Sequence, residues 1–155
     1  MNKKTPYYFL IIYIITIFIS DDSFSKDKIE VELIANCGKT NGSIATADPD
    51  GFIYYCAQRM AFIENNYPGA ANFFILHEYG HIFLNSGNEL EVDCWTANEL
   101  SQSKDPEAVK ILSAATNFIK NFYKLPDPKY GGTGKQRAEL INNCAINGAK
   151  FYEKK

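Results

Sequence analysis

The sequence predicts an α+β fold: a small β-sheet packed on a mainly helical domain and stapled by disulfides. Three observations carry that expectation. Two short stretches before residue 57 have strand character. The chain beyond residue 57 is written largely at helical spacing, punctuated by Pro, Gly and Asn-Gly-type breaks. Four cysteines, Cys37, Cys56, Cys94 and Cys144, make an even set.

Residues 1–25 read as a signal peptide. Lys3 and Lys4 precede an apolar run over residues 7–19, and Ser23 and Ser25 suit a cleavage site after Ser25. The run is short beside the ~20 residues a bilayer span needs, and a retained anchor is the competing reading. Residues 26–155 are then one domain, exported to the periplasm or secreted, with no stable membrane association once the signal is cleaved. A net charge of −2 and the lack of a basic stripe exclude a nucleic-acid partner.

Ile29, Val31 and Leu33 alternate with Glu30 and Glu32, as in a half-exposed strand. Asn41-Gly42 and Asp48-Pro49-Asp50-Gly51 mark turns before a second strand over residues 52–56. The Asn41-Gly42-Ser43 sequon reads as a tight turn. A short helix is expected next, over residues 57–64. Residues 69–85 are apolar on nearly every side, the mark of a buried helix, and Gly87 is placed to stop it. Further helices are expected over residues 89–102, after the Asp105-Pro106 start signal, and after Gly131-Gly132-Thr133-Gly134. That glycine run lacks the remaining P-loop residues and is a turn. In an oxidising compartment the cysteines read as Cys37–Cys56, flanking the two strands and their connection, and Cys94–Cys144, tying the segment after the buried helix to the last helix. Cys94 as a metal ligand is the weaker alternative.

Both histidines of the chain fall in His77-Glu78-Tyr79-Gly80-His81, inside the buried helix. Positions i and i+4 share a helix face, so the two imidazoles can close on one metal ion, with Glu78 beside them to take a proton from a metal-bound water. Burying three such groups is costly without partners, and a metal ion offsets that cost. A catalytic site needs a third protein ligand. Glu89 and Asp93 share a face of the next helix, whereas Glu91 points away and is expected to face solvent. Glu89 is the expected ligand, and Asp93 is expected to hydrogen-bond a ligand histidine and fix its tautomer. Asp93 as the ligand itself is the alternative.

HExxH followed by Glu89-Leu90-Glu91-Val92-Asp93 and then Cys94-Trp95-Thr96-Ala97 resembles the gluzincin peptidases, in the branch whose third ligand lies in an ExxAD-type segment. Similar stretches occur in exported bacterial neutral zinc metallopeptidases and, more loosely, in metallopeptidase-like domains of bacterial stress regulators. The resemblance covers residues 73–99, and residues 131–144 are weakly similar to a Gly-rich turn, arginine and helical cysteine of some exported members. Val92 stands where alanine is common, and the seven residues between His81 and Glu89 are few for the group. The resemblance implies a zincin-like domain holding one Zn2+ ion through His77, His81 and Glu89, with Glu78 as general base. It implies hydrolysis of a peptide or protein substrate held along an edge strand, for which residues 52–55 are the candidate, and an oxyanion donor from Tyr130 or Arg137. A non-catalytic exported zinc-binding protein that uses the scaffold to bind a partner is the alternative. A disulfide-stapled binding protein without metal is a third.

Overall fold

Residues 29–148 are described by the structure, a computed structural model; the signal-like segment 1–25 lies outside the described residues. Strands β1 (Glu32–Ala35), β2 (Ala45–Asp48) and β3 (Phe52–Tyr55) form one sheet in the order β1-β3-β2, with β3 parallel to β1 and antiparallel to β2. This corrects two expectations. The segment over residues 52–55 is the central strand and not an edge, and Ile53 on it is fully buried. The edges are β1 and β2, and β2, which lines the cleft, has an Ala-Thr-Ala-Asp sequence with little β-propensity of its own. It is folded onto β3 by a tight turn: Asp48 accepts from Gly51 N–H through its carbonyl at 3.0 Å and from Asp50 N–H through Oδ1 at 3.0 Å. Gly51 supplies the φ of +90° that this reversal requires. The first strand also begins later than its alternation suggests, because pairing with β3 sets its register at Glu32↔Phe52.

The helices are α1 (Ala57–Asn66), α2 (Ala70–Leu84), α3 (Glu89–Gln102), α4 (Pro106–Phe122) and α5 (Gly134–Asn147), with a 3-10 turn at Pro128–Tyr130 before α5. The starts of the last three are fixed by side-chain caps. Asn88 accepts from Leu90 and Glu91 N–H, Asp105 accepts from Glu107 N–H with Pro106 at N1, and Thr133 forms a capping box with Gln136. Helix α2 is buried nearly all round, through Ala70, Ala71, Phe73, Phe74, Ile75, His77, Tyr79 and Gly80, and it packs against the sheet, α1, α3 and α4. Each large apolar side chain so buried contributes roughly 1.5–3 kcal/mol, which makes α2 the axis of the core.

Two local features of α2 set how the next helix approaches it. A Cβ on Gly80 would fall 2.7 Å from the Trp95 ring and 2.9 Å from Val92 Cγ1, so the glycine permits close approach of α3. The helix then ends at Asn85, in the left-handed region (φ 49°), with Ser86 N–H reaching back to His81 O at 3.2 Å. Asn85, and not Gly87, is the stop, since the 6→1 bond of this C-terminal motif closes earlier than the sequence signal suggests. At the tight turn in the sequon, Asn41 is likewise left-handed (φ 53°).

Cys37–Cys56 joins the end of β1 to the start of α1, and Cys94–Cys144 joins α3 to α5, the pairing expected from sequence. Cys94 is therefore a bridge and not a metal ligand. Two disulfides point to an oxidising environment. Among the described residues no helix is long and apolar enough to cross a membrane.

Candidate metal centre

One turn apart on α2, His77 and His81 turn their Nε2 atoms toward each other at 3.1 Å. The tight reversal after Asn85 brings Glu89, the first residue of α3, over them. Its Oε2 lies 3.0 Å from His77 Nε2 and its Oε1 lies 3.5 Å from His81 Nε2. His77 and Glu89 are buried and His81 nearly so, and the three donor atoms form a group that can hold a metal ion.

The surroundings fix which ring nitrogens carry hydrogen. His81 Nδ1 is 2.7 Å from the carbonyl oxygen of Ser86. A carbonyl only accepts, so Nδ1 is the donor and a neutral His81 presents a lone pair at Nε2. His77 Nδ1 is 2.9 Å from Asp93 Oδ1, close as an ion pair though not aligned as a hydrogen bond. Facing a carboxylate, that nitrogen also keeps its hydrogen. Two lone pairs and a carboxylate oxygen thus converge on one small space. Like ends repel, and only a shared proton or a cation makes the arrangement favourable.

The titration behaviour follows from the same contacts. Burial pulls His77 down, but the charge of Asp93 and contacts with Asp93 and Glu89 outweigh it and raise His77 to about 9. His81 is also raised, its contacts with Glu89 and Ser86 outweighing burial. Burial pushes Glu89 up, yet His77, His81 and Lys129 together hold it well below the usual carboxylate range. The site is primed for positive charge.

Asp93 is itself held from behind. Arg137 of α5 donates to it twice, Nε to Oδ2 at 2.7 Å and Nη2 to Oδ1 at 2.8 Å, a bidentate pair buried on both sides. Tyr130 lies against the guanidinium, 3.8 Å from ring centroid to Cζ. Burial first, and the nearby carboxylates after it, push the Tyr130 phenol up to about 12 against the pull of Arg137 and Lys129. The phenol therefore keeps its proton.

Each candidate residue from the sequence has a definite place. His77, His81 and Glu89 come together. Asp93 lies on the far side of His77, against Nδ1, so it fits the supporting role and not the alternative of a third ligand. Glu78 lines the same cleft, and its Oε2 accepts from Ala47 N–H of the edge strand at 2.8 Å. Glu91 is half-buried and not solvent-facing, because its Oε2 accepts from the Ser86 hydroxyl. The residue that orients His81 is thereby tied to α3. Sequence reading missed Lys129, whose Nζ is 2.7 Å from Glu89 Oε1. It lies in an irregular turn with no periodicity, and only its closeness to Tyr130 could have flagged it.

The group opens into a cleft of about 980 Å³. One wall is the edge strand with its preceding turn, another is the Lys129–Tyr130 turn, and the apolar end is lined by Phe62, Phe74, Phe118 and Phe122.

Compared with known proteins, the chain matches no family model, no curated protein and no solved structure. Its class is therefore defined by fold and site: a disulfide-bonded α+β protein with a buried His-His-Glu group able to hold a metal ion.

Proposed function

We propose that the protein is an exported zinc metallopeptidase in which His77, His81 and Glu89 hold one Zn2+ ion and Glu78 is the general base. The single observation that carries this reading is the convergence of His77 Nε2, His81 Nε2 and Glu89 Oε2, with both imidazole hydrogens drawn to the opposite ring nitrogens. Ligands of a tetrahedral zinc stand about 3.3–3.4 Å apart, close to the separations of His77 Nε2 from Glu89 Oε2 (3.0 Å) and from His81 Nε2 (3.1 Å). A zinc ion held there lowers the pKa of its water toward ~7 and polarises a carbonyl.

The remaining chemistry belongs to side chains of the chain. Glu78, anchored by Ala47 N–H, takes a proton from the attacking water and returns it to the leaving amine. Tyr130 is the favoured oxyanion donor, since its phenol stays protonated at the cleft while Arg137 has two donor nitrogens committed to Asp93.

The substrate runs along β2. The Cys56 N–H to Ile44 O bond (2.9 Å) makes residues 44 and 56 a hydrogen-bonded pair, so the backbone groups of Ala45 and Ala47 point away from β3; Ala47 N–H holds Glu78, which leaves the Ala45 N–H and C=O and the Ala47 C=O to meet a substrate strand. An extended peptide adds there by β-augmentation, with an apolar side chain against Phe62 and Phe122. Release of the enzyme into an oxidising compartment by the signal over residues 1–25 completes the reading.

The test is Glu78→Gln beside wild type, with metal analysis and a general protein substrate. The variant is expected to keep its zinc and lose turnover. Equal activity in the variant removes Glu78 as base. A metal-loaded wild type without turnover favours the non-catalytic zinc protein instead.

A further inference from the structure

We infer that Lys129 is a positioning residue that engages Oε1 of Glu89, so that the carboxylate offers a metal ion Oε2 and not both oxygens. The inference rests on the metallopeptidase reading and adds a residue to it.

The two oxygens of Glu89 have different neighbours. Oε2 is 3.0 Å from His77 Nε2, whereas Oε1 meets the Lys129 ammonium at 2.7 Å and stands 3.5 Å from His81 Nε2. A carboxylate free to rotate about its last bond would bring both oxygens into the same space. A second oxygen there would take the position that a catalytic site keeps open for water. The ammonium prevents this by giving Oε1 a charge-assisted partner of its own.

Lys129 is not a loose surface lysine that happens to reach the site. Its backbone N–H donates to Asp127 Oδ1 at 2.9 Å, and Asp127 pairs with Gly132 through bonds of 2.8 and 3.0 Å that close the turn. The next residue, Tyr130, is stacked on buried Arg137, and Gly131 lies against Leu90 of α3. The turn is thus fastened to both α3 and α5, the two helices that supply Glu89 and the support for Asp93. The Lys129 side chain itself is 57% exposed. Glu89 is buried, but solvent screens the lysine end of the pair, so the effect of Lys129 is on the orientation of Glu89 more than on the fold.

The experiment compares wild type, Lys129→Met and Lys129→Arg, each loaded with Co2+ for visible absorption and with Zn2+ for X-ray absorption and peptide turnover. Lys129→Met is expected to unfold at the wild-type denaturant midpoint and to bind one metal ion. Its Co2+ bands are expected to weaken as a further oxygen joins the metal, and the X-ray absorption should report one more light ligand. Its kcat should fall about tenfold or more, the usual effect of removing a partner of a ligand, with KM nearly unchanged. Lys129→Arg should restore the wild-type spectrum. A wild-type Co2+ spectrum in Lys129→Met overturns the inference, whatever its activity; lost turnover with that spectrum would place Lys129 on the substrate instead. A wild type that binds neither metal overturns the metallopeptidase reading along with it.

Discussion

His77 and His81 sit one turn apart on the same helix, yet they are held in opposite ways. His77 is supported by a long-range chain, Asp93 to Arg137 to Tyr130, that spans 44 residues between α3 and α5 and is buried throughout the ion pair. His81 is supported locally, by the carbonyl of Ser86 five residues on, with the Ser86 hydroxyl tied to Glu91. The first support exists only when the tertiary fold is complete. The second is built into the reversal between α2 and α3. One arm therefore links the site to global stability, and the other links it to the geometry of a single turn.

The sharpest way to break that contrast is Arg137→Met. It leaves Asp93 buried beside His77 without its bidentate partner, and removing one member of a buried pair costs about 3–5 kcal/mol. Urea unfolding checks this, and an unchanged midpoint would mean that the ion pair does not fasten α5 to α3. Gly80→Ala probes what both arms share, the close approach of α3. The new methyl meets Trp95 and Val92 at under 3 Å, and overpacking of this kind costs about 1–3 kcal/mol. A variant as stable as wild type would show that the helices part without penalty.

Proton competition gives a third expectation. Because His77 is raised to about 9 in the metal-free protein, a metal ion must displace a proton from it below that pH. Affinity should therefore rise at least about tenfold per pH unit from neutrality toward about 9, with His81, also raised, adding to the slope, and level off once both rings are neutral. The metal-free protein should behave conversely. A folded-state pKa raised above the unfolded value contributes stability that is full below ~6.5 and is lost as pH rises through about 9. Chelator-buffered titrations and pH-dependent unfolding report the two slopes, and a flat affinity profile would contradict the role given to Asp93. The smallest effect belongs to the local arm. Glu91→Ala frees the Ser86 hydroxyl and should weaken metal binding about tenfold, with stability changed by no more than about 0.5 kcal/mol. A large stability loss there would erase the distinction between the arms.

The legibility of the molecule in its sequence divides along the same line. Helix α4 announces itself through the local Asp105-Pro106 start signal, and the caps that the structure shows at Asn88 and at Thr133 with Gln136 are equally local, each acting within one turn. His77 and His81 are legible because helical spacing converts directly into a shared face, and Glu89 because it shares a face of the next helix with Asp93. Strand β2 is not, since Ala45–Asp48 becomes a strand through its pairing with β3 and not through its own propensities. That omission makes residues 52–55 look like an edge. Arg137 is visible as a residue, but its partner Asp93 is remote in the chain, and no periodicity reports such an ion pair. Glu91 is misplaced for a related reason: helix geometry fixes the face it occupies, but not that the chain reversal carries Ser86 back to meet it.

The capacity to hold a metal ion rests on three electron-rich atoms that need a proton or a cation between them. The most direct measurement is anomalous diffraction at the zinc edge from crystals equilibrated with zinc. A peak about 2.0–2.2 Å from His77 Nε2, His81 Nε2 and Glu89 Oε2 is the expected result. The contrary result is a map with both rings still facing each other across 3.1 Å, Ser86 and Asp93 still on their Nδ1 atoms, and no peak between them.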